Sequence, residues 1–147
     1  MKTNTLALII LCMIITSCDS TKTAVKVSNS LNGTWKLNYI SGPKIAFDGL
    51  YPDKKPTITF DSKENKIIGN NSCNKYFGAL IVEGNKINFK DAKIGMTMMA
   101  CQGTGESTYM KALEKIDSYS VSEDGKTLNL ITGDVEIMRF EKVVAKE

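Results

Sequence analysis

Two of the four cysteines in this 147-residue chain, Cys73 and Cys101, stand 28 positions apart, and the sequence contains no histidine. Two thiols without a histidine or a third nearby cysteine make a poor zinc site, and this separation lacks the Cys-x-x-Cys spacing that tunes reactive thiols. An even pair is typical of a disulfide in an oxidising compartment. The pair predicts a bridge worth about 3.5 kcal/mol in the chain-entropy model, with two separate buried thiols as the alternative.

The other two cysteines, Cys12 and Cys18, lie in an N-terminal segment that is typical of an export leader. Lys2 gives a positive start, and residues 6–15 form an apolar run that as a helix would rise about 15 Å, half of a hydrocarbon core of roughly 30 Å. The residues Ile15-Thr16-Ser17-Cys18 resemble a bacterial lipobox. We expect residues 1–17 to be a lipoprotein signal peptide, with an ordinary cleavable leader and an incidental cysteine as the alternative.

Lipidation of Cys18 would make the membrane a partner of this protein, because two or more acyl chains anchor a protein stably. Residues 18–30 are polar, with Thr, Lys, Ser and Asn, and predict a flexible tether reaching about 20 Å. The expected location is the cell envelope, with the protein lipid-anchored and facing the periplasm or the cell surface. The inner and outer membranes are not distinguished by the sequence.

Several classes of chemistry find no support in the sequence. Without histidine there is no Ser-His-Asp or Cys-His catalysis and no usual general base near neutral pH. Gly103-Thr104-Gly105 lacks the rest of a phosphate loop, and the acidic residues are scattered in turns. Net charge is +3 with one arginine, which argues against nucleic acid. The prediction is a monomer that is not an enzyme, with no catalytic residue, no metal site and no cofactor.

Two further segments carry unusual residues, 69–78 and 96–101. Asn and Gly in the first predict a tight, internally hydrogen-bonded turn pinned by Cys73. The second is rich in methionine, which is usually a soft core filler and sometimes an adaptable binding surface. A fold staple is the favoured interpretation. A binding surface formed by Asn74, Lys75 and Thr97, and a redox role for the cysteines, remain open.

The elements that must position these segments are mostly short strands with alternating apolar residues. Trp35, Leu37 and Tyr39 share one face of the first, and seven more are predicted at residues 57–60, 66–69, 79–82, 86–89, 119–122, 128–131 and 135–140. Residues 42–55 read as a long surface connection. Residues 106–116 have helical spacing, with Thr104 or Ser107 as a cap. We expect an α+β fold, mainly antiparallel β: a small curled sheet or partial barrel of about eight short strands with one helix packed on it.

These residues carry a resemblance to a known family. Gly33-Thr34-Trp35, a Gly-x-x-x-Cys-Asn-x-x-x-Gly turn and a Met-Thr-x-Met-x-Cys segment resemble the META domain, the HslJ-like family also called DUF306. The similarity covers residues 31–142, followed by a tail at 143–147. The motif positions that transfer are Gly69, Cys73, Asn74, Gly78, Thr97, Met99 and Cys101.

The resemblance implies a compact antiparallel β domain with one helix, often carried by a bacterial lipoprotein. It also implies an association with stress response, novobiocin resistance and, in some relatives, motility or virulence, with no enzymatic activity established for the class. We therefore expect a non-enzymatic, stress-related binding or structural module of the envelope, with a possible envelope protein as partner. The alternatives are a small-ligand carrier that uses the interior of the sheet and an inhibitor of an envelope hydrolase.

Overall fold

The computed structural model describes residues 30–144. The predicted signal peptide, Cys18 and residues 18–29 of the tether lie outside the described residues, as do residues 145–147 of the tail. Within the part of the chain that is described, no helix has both the length and the apolar character needed to cross a bilayer.

Ten β-strands and two helices have both ends within residues 30–144. The strands are β1 (Gly33–Ile40), β2 (Thr57–Asp61), β3 (Lys66–Asn70), β4 (Lys75–Ala79), β5 (Val82–Glu83), β6 (Lys86–Ile87), β7 (Gly95–Met96), β8 (Ser118–Val121), β9 (Thr127–Thr132) and β10 (Val135–Lys142). The helices are α1 (Phe47–Leu50) and α2 (Gly105–Leu113).

All ten strands form one antiparallel sheet in the order β5-β6-β8-β9-β10-β1-β2-β3-β4-β7. β5 lies at one edge of this order and β4 is next to the other edge, yet only Leu80 and Ile81 separate them in sequence. A two-residue link cannot cross a flat sheet of this width, so the sheet must curl until its edges approach each other. The expected partial barrel is confirmed in outline, with ten strands instead of about eight and without closure.

The interior of the curled sheet is filled by inward-facing side chains of the longer strands. Trp35 and Leu37 of β1 and Tyr76 of β4 have no exposed surface. The other strand residues exposed by 2% or less are Ile58, Phe60, Ile67, Leu128, Leu130, Met138 and Phe140. This alternation of buried and exposed positions is the reason that period-2 patterns located most of the strands.

Helix α2 packs on inward-facing residues of the sheet through one apolar face. Tyr109 and Leu113 are fully buried, and the Tyr109 ring packs edge-on against Phe140 at 6.5 Å between centroids. The hydroxyls of Tyr109 and Tyr76 are 2.7 Å apart, and Tyr76 also donates to the Thr57 carbonyl at 3.2 Å. Burial raises the pKa of both tyrosines above the ordinary value. The predicted helix is confirmed, but it spans Gly105–Leu113 instead of residues 106–116. Thr104 makes no side-chain capping hydrogen bond, and Ser107 lies inside the helix.

Five details differ from the sequence prediction. The strand predicted at residues 79–82 is wrong: β4 ends at Ala79, and β5 starts at Val82. The strands β4 and β7 and the short helix α1 were not predicted. Tyr39 is 39% exposed, because a bulge between Leu37 and Tyr39 in the pairing with β10 moves it to the outer face.

Candidate functional site

The turn between β3 and β4 is built from three asparagines. The Asn71 N–H donates to the Asn74 carbonyl at 3.0 Å, and Asn71 Oδ1 accepts from the Asn74 N–H at 2.7 Å. Asn70 Oδ1 accepts from the Ser72 N–H at 3.0 Å. The tight turn predicted over residues 69–78 is confirmed only for residues 71–74, because residues 75–78 belong to β4. The residue with a positive φ is Ser72 (+91°) and not an asparagine or glycine. Short amide side chains close such turns because they reach their own backbone.

Asn74 connects this turn to two distant parts of the chain. Its side chain is 1% exposed, and its Oδ1 accepts from the Thr97 hydroxyl at 2.7 Å and the Met99 N–H at 2.8 Å. Its Nδ2 lies 3.0 Å from Glu106 Oε1 and 3.1 Å from Cys101 Sγ. A buried amide with partners on both ends fixes the groups that it contacts. Asn74 is therefore the residue around which the site is organised.

Cys73 and Cys101 form a disulfide beside Asn74, as predicted, with their Cα atoms 5.9 Å apart. Both residues are partly exposed. The bridge ties the β3–β4 turn to the segment that precedes α2, and it acts on the same two segments that Asn74 joins through hydrogen bonds. The site is thus held by one covalent and several non-covalent connections.

Glu106 is the part of the site that sequence reasoning did not include. It lies in the first turn of α2, where a carboxylate is stabilised by the positive end of the helix dipole. Its Oε1 accepts from Asn74 Nδ2 and from Asn71 Nδ2, the latter at 3.3 Å. The available signal was an acidic residue at a predicted helix start five positions after Cys101. A carboxylate in this position is accounted for by the helix dipole alone, and the sequence gives no partner for it.

Residues 97–104 form the loop between β7 and α2, here called the 97–104 loop. Met98 is 89% exposed and Met99 60%, so the core-filler interpretation is wrong for these two, whereas Met96 packs against the core. Thr97 and exposed Lys75 are joined by two hydrogen bonds, Thr97 N–H to the Lys75 carbonyl and Lys75 N–H to the Thr97 hydroxyl. Asn74, Lys75, Thr97 and Met99 are thereby brought together, with the methionine side chains facing solvent.

Gly69 and Gly78, the two glycines of the motif, are packed against neighbouring atoms and are not part of the surface around Thr97 and Met99. A Cβ at Gly69 would come within 2.2 Å of the Tyr76 ring and 2.5 Å of the Thr57 carbonyl oxygen. A Cβ at Gly78 would come within 2.9 Å of the Ala92 carbonyl oxygen. Close approach therefore requires glycine at both positions, and their contribution is to packing.

An open cleft of about 700 Å³ lies next to the disulfide. One wall contains Ile45, Leu50 and Asp53 around α1, and the other contains Cys101 and Glu106. A cleft of about 440 Å³ lies elsewhere, between the β5–β6 hairpin and the residues that follow α2. The cleft of about 700 Å³ is the one that the Asn74 cluster borders.

Comparisons with known proteins support the expected family. The family model of the META domain matches residues 28–144. No curated protein sequence matches this chain significantly.

Solved structures show the same fold. An NMR structure of a protein from Burkholderia xenovorans is similar with a TM-score of 0.64 and 23% identity over 82% of this chain and 88% of that one. Another NMR structure aligns with a TM-score of 0.53 and 19% identity over 76% of this chain and 90% of the other. A crystal structure of a DUF4847 family protein from Bacteroides vulgatus gives a TM-score of 0.51 and 17% identity, covering 76% and 92%.

Proposed function

We propose, starting from the fact that the chain belongs to the META domain family, that it is a non-enzymatic, stress-related lipoprotein of the bacterial envelope. In this proposal the 97–104 loop is the surface that binds an envelope protein. The observation that carries it is the way Asn74 and the disulfide hold a loop whose methionines face solvent.

A loop held in this way has already lost much of the conformational freedom that binding would otherwise remove. Hydrogen bonds that Thr97 and Met99 donate to Asn74 Oδ1 fix these two residues, and the disulfide fixes Cys101. Pre-organisation of a binding loop lowers the entropy cost of association. Methionine is enriched in protein interfaces, and its flexible side chain adapts to a partner's surface. Exposed Met98 and Met99 on a fixed backbone suit that use.

The envelope location rests on the N-terminal sequence. Cys18 follows a lipobox-like run, and twelve positions separate it from Ser30, the first described residue. A coil of this length spans about 20 Å on average, which would keep the domain close to a membrane surface. A tethered domain of this kind meets its partners at the membrane.

The absence of enzymatic activity is part of the proposal. The sequence has no histidine, and the polar side chains of the site are hydrogen-bonded to each other. Mutual hydrogen bonds suit a positioning role more than proton transfer to a substrate.

The fold does not support the alternative of a small-ligand carrier. Such a carrier needs a cavity inside the sheet, and Trp35, Tyr76, Phe140 and other side chains fill that interior. An inhibitor of an envelope hydrolase would use the same exposed loop as any other protein-binding module. The identity of the bound protein therefore distinguishes a hydrolase inhibitor from a module that binds another envelope protein.

Photo-cross-linking in native membranes tests the binding surface. A photoreactive residue replaces Met98 in the full chain, and in a matched control it replaces Val135, which is 58% exposed at the start of β10. We expect a discrete protein adduct from position 98 and none from position 135. A hydrolase in the adduct would identify the inhibitor, and equal adducts or none at position 98 would contradict the proposed surface.

Cys18→Ala tests the anchor separately. The variant should leave the membrane fraction, whereas Cys12→Ala, which changes a cysteine inside the apolar run, should remain there. Retention of the Cys18→Ala protein in the membrane would refute lipidation without affecting the loop proposal.

A further inference from the structure

Three potential metal ligands meet at the edge of the cleft next to the disulfide. One ligand atom from each of Cys73, Cys101 and Glu106 lies within 4.8 Å of the other two. All three residues are partly exposed, and all three line the open cleft. In the disulfide the sulfurs are bonded to each other, so the three groups are a metal site only after reduction, because the thiolate is the ligand.

We propose that reduction of the Cys73–Cys101 disulfide creates a binding site for a thiophilic divalent cation such as Zn²⁺, with both thiolates and the Glu106 carboxylate as ligands. A dithiol reductant transfers two electrons to the S–S bond, and its own thiols become a disulfide. Each released sulfur takes one proton, and the cation displaces both protons when it binds. Water from the cleft completes four-coordination.

The separations among the two sulfurs and the Glu106 carboxylate are close to those around a tetrahedral zinc ion, so only small side-chain movements are needed. With Zn–S near 2.3 Å and Zn–O near 2.0 Å, a tetrahedral ion sets its two sulfurs about 3.8 Å apart and each sulfur about 3.5 Å from the oxygen. The present separations are all within 4.8 Å, and the two cysteine Cα atoms are 5.9 Å apart. Breaking the S–S bond lets the sulfurs move apart while the β3–β4 turn and the start of α2 stay in place.

The asparagines around the cluster are arranged as supports for such ligands. Asn71 and Asn74 both donate to Glu106 Oε1, which orients the carboxylate. Asn74 Nδ2 also lies 3.1 Å from Cys101 Sγ and 3.8 Å from Cys73 Sγ. Hydrogen bonds donated to a sulfur favour the thiolate, and groups that orient metal ligands usually accompany metal sites. The sequence analysis predicted no metal site because it considered the two cysteines without Glu106, the third ligand.

Cd²⁺ titration of the full chain tests the proposal. Cys12→Ser and Cys18→Ser leave Cys73 and Cys101 as the only thiols, and the protein is prepared oxidised or reduced with a phosphine. We expect the reduced protein to bind one Cd²⁺ with an ultraviolet thiolate-to-metal charge-transfer band. The oxidised protein should give no band. Equal binding by both forms, or no band from the reduced form, would overturn the proposal.

Glu106→Gln tests the third ligand in the same background. It should weaken Cd²⁺ binding by at least the roughly 10- to 100-fold that loss of an outer-shell partner costs, because it removes a direct carboxylate ligand. Glu123→Gln removes the same charge from an exposed turn and should leave the affinity unchanged. Zn²⁺ should also raise the Tm of the reduced parent, because binding to the folded state stabilises it. Unchanged affinity in Glu106→Gln, or a Tm that Zn²⁺ lowers or leaves unchanged, would refute the site.

Discussion

The β3–β4 and β8–β9 turns are both closed by short polar side chains that bond to nearby residues, but only the β3–β4 turn also contacts distant parts of the chain. In the β8–β9 turn, Asp124 Oδ1 accepts from the Ser122 hydroxyl at 2.5 Å and the Lys126 N–H at 3.0 Å. Those partners are within two residues. In the β3–β4 turn, Asn74 contacts Thr97, Met99 and Glu106, which are 23 to 32 positions away.

The difference shows how a turn becomes a site. A polar side chain that bonds only to its neighbours shapes the backbone and stays exposed, as Asp124 does. Asn74 is buried between three segments, so each of its hydrogen bonds also positions a distant group. We expect perturbations of the β3–β4 turn to spread to the 97–104 loop and α2, and those of the β8–β9 turn to remain local.

Removing the disulfide should have the largest effect. Cys73→Ser with Cys101→Ser should lower the free energy of unfolding by about 3.5 kcal/mol, because the closed 28-position loop becomes free in the unfolded chain. Urea unfolding measures the loss. Reduction of the parent protein serves as the control and should give a similar midpoint. A midpoint equal to that of the oxidised parent would show that the bridge adds little to the hydrogen bonds.

Asn74→Ala should come next, with a loss of about 2–3 kcal/mol. The Thr97 hydroxyl, the Met99 N–H and Glu106 would all lose a buried partner, which is more costly than the loss of one exposed bond. Ser122→Ala is the matched change in the other turn and should cost about 0.5 kcal/mol. Both are measured by chemical denaturation. Similar losses in the two variants would remove the distinction between the turns.

The smallest effect is expected at Asp124, and it depends on pH. Hydrogen bonds from the Ser122 hydroxyl and the Lys126 N–H lower the pKa of this carboxyl. A lowered folded pKa stabilises the protein above the unfolded value of about 3.9, and this contribution is lost as pH falls through the folded pKa. The Tm of Asp124→Asn should therefore approach that of the parent as the pH falls below about 4. A constant Tm difference across that range would contradict the assignment.

The sequence predicted the parts of the fold that depend on local pattern. Alternation identified β1, β2 and β3, and the even cysteine pair identified the disulfide. The prediction failed where a few residues take their structure from neighbours. β7 is a two-residue strand paired with β4, and α1 is a single turn inside a connection that contains proline.

For the candidate site, the two motif segments predicted Asn74, Thr97 and Met99 but not Glu106. Asn74 brings the segments together, because it accepts hydrogen bonds from both Thr97 and Met99. The role of Glu106 depends on how α2 docks, which periodicity does not determine. Met98 is exposed on a loop whose backbone is held by Asn74 and the disulfide, and a count of methionines carries no such information.

Both free edges of the open sheet, β5 and β7, lie between Cys73 and Cys101 and so belong to one covalent ring. Unpaired strand edges are templates on which a second chain can add a strand and begin to aggregate. Here each edge strand is only two residues long, and the ring limits how far either can separate from the sheet. The same bridge that fixes Cys101 at the end of the 97–104 loop therefore also tethers both edge strands, and reduction removes that tether.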